Sequence, residues 1–556
     1  MATQVVEAQT ITSSLRGTVR APGGDPLAGA QVTVTDTRTG RSLRATTGRQ
    51  GNFSFRGLNV GGPYTVLVES EDYTNEQITD INLSTSSRSV VNVTLTPQGV
   101  EEIIVTASSR ATVSELAIGP GSTFTEFELQ GLPSVDRDFR DIIRLDPRVQ
   151  IDPTADDRIS CNGGAFRGNS FTVDGVDLRD PFGLEDSGFP SENTQPIPFR
   201  AAREVSVEFA PFDVEYSRFT GCNINVIVDT GSNEFHGEAF GQFNSDGLTG
   251  DSLTLPDGDT RELQNDFNNW RWGATLGGPI IKDKLFFFVA YEEFDQSNPI
   301  DDGPAGAGFA NEFDSVTTDI ANDIASLVDQ QFGFPTGTIG RQNASENRRI
   351  LARIDWFITE KHQLAFTYNR EREDNIEPDS LTANFGTFAF QENFENEGTE
   401  SDLFSGRLFS QWTDNLSTEL RFSRLDVNDI QDPVGGGEAQ DAEPIPQVVV
   451  GVSEDEVVLG SGPGIFRSAN QLDNTIDLFT AIADYTWETP DFGTHNFKVG
   501  YEWQRAETFN LFVINATGRL NFADRDALAA GDVSSGTRTP FFPNSNADEL
   551  LAGNVA

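Results

Sequence analysis

From residue 234 onward the chain repeats a pattern that few folds accept: long runs in which every second side chain is apolar. In Asn496-Phe-Lys-Val-Gly-Tyr-Glu-Trp-Gln504, Phe497, Val499, Tyr501 and Trp503 share one face of an extended strand, and Asn496, Lys498, Glu502 and Gln504 share the other. Leu416-Ser-Thr-Glu-Leu-Arg-Phe-Ser423 repeats it, with Leu416, Leu420 and Phe422 opposite Ser417, Glu419, Arg421 and Ser423. Trp270–Leu276 and Leu364–Asn369 do the same. Similar runs near 234–243, 285–294, 349–357, 402–412, 474–488 and 508–514 bring the expected total to about ten strands. Aromatic residues at both ends of an apolar stripe suit a lipid-facing band with interfacial girdles. A soluble sandwich also alternates, but its strands are shorter and its polar face meets water. Connection lengths point the same way. Thr359-Glu-Lys361 and Thr413-Asp-Asn415 are tight, whereas 295–346, 373–401 and 428–473 are long, acidic and Gly-rich.

Composition agrees with a membrane-spanning β structure and excludes several alternatives. With 37% hydrophobic and 10% aromatic residues among 556, the chain can bury a core despite a net charge of −47. The longest apolar run, Leu285-Phe-Phe-Phe-Val-Ala-Tyr291, is far too short for a membrane helix. A barrel strand needs only about 10 alternating residues, so low overall hydropathy is no obstacle. A pI near 4.2 argues against nucleic-acid partners, because phosphate binding needs a basic surface. The acidity itself reads either as adaptation to a salty habitat or as a lumen and loop surface that attracts cations. Phe outnumbers Tyr by 43 to 7, so any interfacial girdle must lean on Phe and Trp.

No constellation carrying catalytic chemistry emerges, and the chain reads as non-enzymatic, with no cofactor. His236, His362 and His495 are scattered over expected strands, which leaves no zinc-ligand spacing. Asp174, Asp177 and Asp180, followed by Glu185 and Asp186, offer oxygen ligands, but not at the spacing of a calcium loop. Asp174-Gly175 reads as a turn that needs positive φ at the glycine. The N-terminus shows no charged and apolar leader regions, although Val6-Glu7-Ala8-Gln9 looks like the tail of a small-residue cleavage site. The expectation is a chain truncated at both ends.

Residues 14–96 form short alternating runs, such as Gln31-Val-Thr-Val-Thr35 and Tyr64-Thr-Val-Leu-Val-Glu69, parted by turn residues. The order Gly17-Thr-Val19, Pro26-Leu-Ala-Gly-Ala30, Gly51-Asn-Phe-Ser-Phe55 and Tyr64-Thr-Val66 resembles the carboxypeptidase-regulatory-like domain, a non-catalytic β-sandwich. Pro97-Gln-Gly99 then breaks the chain before Glu101-Glu102-Ile103-Ile104-Val105-Thr106-Ala107. Ile103 and Val105 lie on one face of this β-prone peptide, Ile104 and Thr106 on the other, and a strand without a sheet offers its N–H and C=O groups to a partner. The peptide resembles the TonB box of TonB-dependent outer-membrane receptors; a plain connecting strand is the alternative.

Residues 109–231 are mixed. Ser134 is placed to cap a helix carrying Val135, Phe139, Ile142 and Ile143. Leu132-Pro-Ser, Arg137-Asp138, Asp146-Pro-Arg148, Phe166-Arg-Gly-Asn169, Val173-Asp-Gly-Val176, Phe182-Gly-Leu184, Pro211-Phe-Asp-Val214 and Phe219-Thr-Gly-Cys-Asn-Ile-Asn225 stand in the order of the plug of Oar-like TonB-dependent receptors. Thr230-Gly-Ser-Asn-Glu-Phe-His-Gly237 resembles that family's crossing into the first barrel strand, although Asp229 stands where a basic residue is expected. The two cysteines, Cys161 and Cys222, both fall in this region. They fit one disulfide made in an oxidising compartment, worth roughly 4 kcal/mol on the chain-entropy estimate, or else two unrelated buried thiols.

The expected fold is therefore mainly β: a β-sandwich (14–96), a linker with the box (97–108), a mixed α/β plug (109–231) and part of an antiparallel transmembrane barrel (232–556). In this family the barrel has about 22 strands, so the chain would supply under half. The resemblance implies a receptor in the Gram-negative outer membrane, with sandwich and box on the periplasmic side and TonB, membrane lipid and an unidentified substrate as partners. Phe313, Val316, Ile320, Ile324, Leu327 and Phe332 predict an amphipathic helix in the first long connection, packed on the barrel rim, the plug or its own loop. The alternative function is a secreted or surface-anchored β adhesin that never spans the membrane, which requires long strands polar on both faces or a soluble partner sheet.

Overall fold

The structure is a computed structural model that describes residues 12–537, apart from 86, 99–110, 118, 135–136, 153–156, 179–194, 212–218, 251, 255–257, 259, 263–266, 379–385, 440, 442, 461–469, 490–492 and 514. Eight strands build the N-terminal unit: β1 (Ser13–Arg20), β2 (Gln31–Asp36), β3 (Ser42–Thr46), β4 (Asn52–Leu58), β5 (Gly61–Glu69), β6 (Glu76–Leu83), β7 (Ser87–Thr94) and β8 (Ala111–Ala117). They make two four-stranded sheets, ordered β4-β1-β7-β8 and β3-β2-β5-β6. Alternate residues of both sheets, among them Leu15, Val32, Phe53, Val66 and Val91, meet in one buried core. β8 departs from the expected boundary. The sequence assigns residues from 109 to the plug, yet Ala111–Ala117 runs antiparallel to β7, from Val93↔Ala111 to Ser87↔Ala117. β7 is paired with β1 on one side only, and a β-prone stretch that follows closely in the chain satisfies its open edge.

The plug contains β9 (Gly121–Thr125), α1 (Glu126–Gly131), α2 (Phe139–Ile143), β10 (Val149–Asp152), β11 (Arg158–Cys161), β12 (Ser170–Val173), β13 (Val176–Asp177), β14 (Ala202–Glu208) and β15 (Asn223–Val228). Five of these form a sheet ordered β13-β12-β15-β14-β9, and β10 and β11 pair as a separate hairpin. Asp174 and Gly175 join β12 to β13 with φ of 47° and 73°, the left-handed pair that a two-residue hairpin turn demands. The helix near 139 is shorter than expected and differently capped. Asp138 accepts from the Arg140 backbone N–H, whereas the Ser134 hydroxyl receives the Asp138 N–H and donates to Asp141.

The third region is β16 (His236–Ser245), a small hairpin of β17 (Ser252–Thr254) and β18 (Thr260–Glu262), then β19 (Asn268–Ile281), β20 (Leu285–Pro299), β21 (Asp302–Ala305), β22 (Asn311–Thr317), α3 (Thr318–Phe332), β23 (Gln342–Thr359) and β24 (His362–Glu377). It continues with β25 (Thr387–Ala389), β26 (Glu395–Thr413), β27 (Leu416–Pro433), β28 (Gln447–Val452), β29 (Asp455–Leu459), β30 (Asn470–Thr489), β31 (Gly493–Phe512), β32 (Arg519–Phe522), α4 (Arg525–Ala530) and β33 (Ser535–Thr537). Nine long strands form one antiparallel sheet, β16-β19-β20-β23-β24-β26-β27-β30-β31, whose first and last strands have no further partner among the described residues. Nine, not ten, is the count among the described residues. Residues 508–512 continue β31, because its pairing with β30 runs unbroken from Thr489↔Gly493 to Asn470↔Phe512.

This sheet is apolar outside and polar inside. Phe497, Val499, Tyr501 and Trp503 are 46–69% exposed, while Glu502 is 8% exposed. On β27, Leu420 and Phe422 face outward, and Ser417, Glu419, Arg421 and Ser423 are buried against the interior. An outer face of this kind belongs in hydrocarbon, and spanning the membrane is what the adhesin alternative excluded. At one end the strands are joined by short turns, such as Glu360-Lys361 and Asp414-Asn415. At the other, the long connections are folded. β25, β29, β28, β32 and β33 make a second sheet, and Phe313, Ile324, Val328, Phe388, Phe394, Val449, Val458, Phe522 and Leu528 fill a core of their own beneath it. The expected helix is α3, and it packs within this layer. Thr317 caps it, Ala321, Ile324, Ala325 and Val328 are its buried face, and Ile320 is exposed, so the stripe is rotated from the expected one.

Candidate functional site

The sheet of nine strands wraps the plug, and its interior polar residues hold plug backbone that has no sheet partner of its own. Arg349 on β23 donates to the carbonyls of Gln195 (3.1 Å) and Ile197 (3.2 Å), and Asn369 on β24 donates to that of Pro196 (2.9 Å). Glu292 on β20 accepts the Phe199 N–H at 3.1 Å. Buried backbone groups must be paired, and here the barrel wall pairs them. Arg353, also on β23, donates to Asp174 at the plug's hairpin turn and grips Asp355 with both ends of its fork (2.9 and 3.0 Å).

Cys161 and Cys222 form a disulfide with a Cα separation of 5.7 Å, both fully buried, tying the β10–β11 hairpin to the start of β15. The segment Glu101–Ala107 lies outside the described residues, as do Asp180, Glu185 and Asp186. Asp229, where the resemblance expects a basic residue, is paired with Arg203 at 2.7 Å and lies 3.9 Å from Arg38.

Between the plug and the wall lies a cavity of about 250 Å³. The plug supplies Arg137, Arg140 and Arg144 from α2 and its flanks; β19 and β23 supply Arg271 and Arg349. Asn343, Ser345, Asn375 and Glu377 also line it, and these sit at the ends of β23 and β24 remote from the short turns. The cavity therefore belongs to the long-loop side of the plug. Five arginines stand against four carboxylates here (Asp138, Asp141, Asp157, Glu377), in a chain with 39 basic and 86 acidic residues. Glu292, 3.8 Å from Arg137 and 3.6 Å from Arg349, adds a fifth carboxylate, so charge is balanced here in a protein that is strongly acidic as a whole.

The arginines are held in place before any ligand arrives. Arg140 contacts Asp138 at 2.8 Å, and Arg144 contacts Asp141 at 3.0 Å. Burial opposes charge on both Asp138 and Arg140, yet each keeps the other ionised, the carboxyl below its usual range and the guanidinium above. Arg137 stacks over Phe240 at 3.5 Å, and Arg271 over Phe294 at 4.4 Å. Burial pulls the Arg137 guanidinium below its ordinary range, against the nearby Glu292 carboxylate. Planar forks fixed by stacking and single ion pairs are suited to bidentate capture of carboxylate or phosphate oxygens. Sequence reading noticed Arg137-Asp138 only as part of a motif. The other four arginines come from three separate elements and carry no local signal.

Comparison with known proteins agrees with this architecture. Residues 14–96 match the family described as Carboxypeptidase regulatory-like domain, and residues 227–304 and 304–556 match the Outer membrane beta barrel domain. The chain is 29% identical over 292 residues to the TonB-dependent transporter Oar of Myxococcus xanthus, covering 50% of this chain and 26% of that protein. Its fold is similar to the outer membrane transporter YddB from Escherichia coli, with a TM-score of 0.51 at 14% identity, over 75% of this chain and 51% of that one. The siderophore receptor PirA from Acinetobacter baumannii aligns at a TM-score of 0.44 and 16% identity, over 70% and 48% of the two chains. The chain thus spans about half the length of these solved structures and about a quarter of the curated relative. A family match over more than half its residues, together with an apolar outward face, places it in the outer membrane: the chain belongs to the outer membrane beta barrel domain family.

Proposed function

We propose that this receptor is an energy-coupled transporter for an anionic solute. The solute enters from the long-loop side and seats among Arg137, Arg144 and Arg271. It passes inward once the plug shifts, and the shift is driven by TonB pairing with Glu101–Ala107. The observation that supports the solute class is the cavity's five arginines in a chain of net charge −47. The relative named as a TonB-dependent transporter supports the energy coupling.

Two variants in cells separate the parts of the proposal, with a polycarboxylate as probe. Arg271→Ala removes one cation and should weaken probe binding about tenfold, the value of one charge-assisted contact. Ile103→Pro deletes an N–H and restricts Glu102, so strand pairing fails while the cavity is untouched. Binding should survive and uptake should stop. Normal uptake by the proline variant makes 101–107 a plain linker; undiminished binding by the alanine variant removes the anionic class.

A further inference from the structure

The N-terminal sandwich sits across the short-turn end of the barrel. Arg41 donates to Gln363 Oε1 at 2.9 Å and stacks over Phe357 at 4.7 Å, and Arg56 donates to Thr486 Oγ1 at 2.7 Å. At Gly57, which has φ of 66°, an added Cβ would meet the Phe409 ring at 2.4 Å, so that ring packs against bare backbone. These contacts reach β23, β24, β26 and β30, four of the nine strands.

The same unit also grips the plug. Glu204 Oε1 accepts the Thr85 N–H (3.0 Å) and hydroxyl (2.6 Å), and Arg203 donates to the Val60 carbonyl (2.9 Å). A continuous polar path then runs through all three units. The plug turn at Asp174 accepts from Arg353, Arg353 donates to Asp355, and Gln363 Nε2 lies 3.5 Å from Asp355 Oδ1 and 3.2 Å from Asn59 Oδ1 of the sandwich.

We infer that the sandwich is a lid that locks the plug in place and has to undock before the plug can move. Among the described residues its footing is built mainly from arginines, amides and carbonyls, with apolar contact at Phe409 against Gly57 and Val60 against Ile227. Such groups find replacement partners in water, so the contact can open and close without exposing a large apolar face. In the chain, residues 97–108 connect β7 to β8 within the lid, and the plug begins at β9. The inference requires a seated plug; it does not depend on the solute class or energy source proposed above.

Hydrogen exchange in the full-length receptor in lipid vesicles, with no solute present, tests it. The reporter is the Val228 N–H, held by Asp174 Oδ1 at 3.1 Å. Arg41→Glu with Arg56→Glu should free the sandwich and speed Val228 exchange by about tenfold or more. Cysteines at Asn59 and Gln363, joined by a short bis-maleimide, should hold Val228 at wild-type protection and block passage. Retained protection at Val32 and Val66 in the sandwich core shows undocking without unfolding. If that protection is lost, Gln363→Ala, which alters only the barrel side, decides by the same readout. Unchanged Val228 exchange with a detached sandwich overturns the lock, and solute passage through the bridged receptor overturns the lid.

Discussion

Replacing Arg353 with Ala is the sharpest perturbation of the seated plug. Arg353 is 5% exposed and Asp355 1%, so neither charge has water to fall back on. Its guanidinium serves Asp355 with two bonds and Asp174, on the plug, with a third. Deleting one partner of a buried ion pair costs about 3–5 kcal/mol, mostly because the remaining charge is left without compensation. Here two carboxylates remain, so the upper part of that range applies, and the opened plug should become roughly 100-fold or more populated. Arg353→Lys keeps the charge without the fork. It can satisfy one carboxylate only, and should fall between the alanine variant and the wild type by losing about 1.5–3 kcal/mol. The assay is limited proteolysis of the plug across a urea series in detergent micelles, with the barrel band as internal control. A loss under about 1 kcal/mol for Arg353→Ala would refute the reasoning. Equal losses for Ala and Lys would refute the role of the fork.

Three further outcomes follow from other regions. Tyr501→Arg places a charge on the outward face and should cost about 2–4 kcal/mol if it lies near the bilayer midplane, whereas Gln504→Arg should be nearly neutral; equal tolerance in a refolding titration contradicts the facing. Cys161→Ser with Cys222→Ser opens a link across a sequence separation of 61 residues and should cost the plug about 4 kcal/mol, read as earlier proteolytic release that reductant no longer advances. Burial, reinforced by Asp432 and Asp441, pushes the Glu438 carboxyl from 4.5 up to about 9. A raised folded value means its stabilising contribution is complete below about pH 4.5, declines as pH rises and is gone above about pH 9. Exchange protection of the loop around Glu438 should fall over that window in the wild type and stay flat in Glu438→Gln; parallel curves would exclude Glu438 as the cause.

The barrel strands were legible because their signal is local. Period-two alternation in Leu416–Ser423 and Asn496–Gln504 fixes the facing whatever the distant partners are. The tight turns at Thr359–Lys361 and Thr413–Asn415 were legible for the same reason. The Asp174–Arg353 lock was not, since its partners are 179 positions apart and each looks ordinary alone. Asp174 was read as a turn residue, which it is; its second task needs the barrel. The loop layer was missed for a different reason. Gln447-Val-Val-Val450 and Glu456-Val-Val-Leu459 are β-branched runs with strand propensity, but they sit in acidic, Gly-rich surroundings that read as open loop. The fourth strand on the sandwich sheet was also hidden, because an open edge on β7 becomes visible only once β1 is known to occupy the other side.

The loop layer also dictates an order of assembly. Its core joins Phe313, Phe388, Val449 and Phe522, one from each of four stretches of chain separated by membrane-crossing hairpins. None of the four can bury its apolar side chains until the intervening hairpins have paired and delivered their tips to the same side of the bilayer. Each tip therefore crosses without a completed core, and collapse of the layer comes last. The outer surface is thus finished only after every hairpin has crossed, and the last act of folding takes place outside the bilayer.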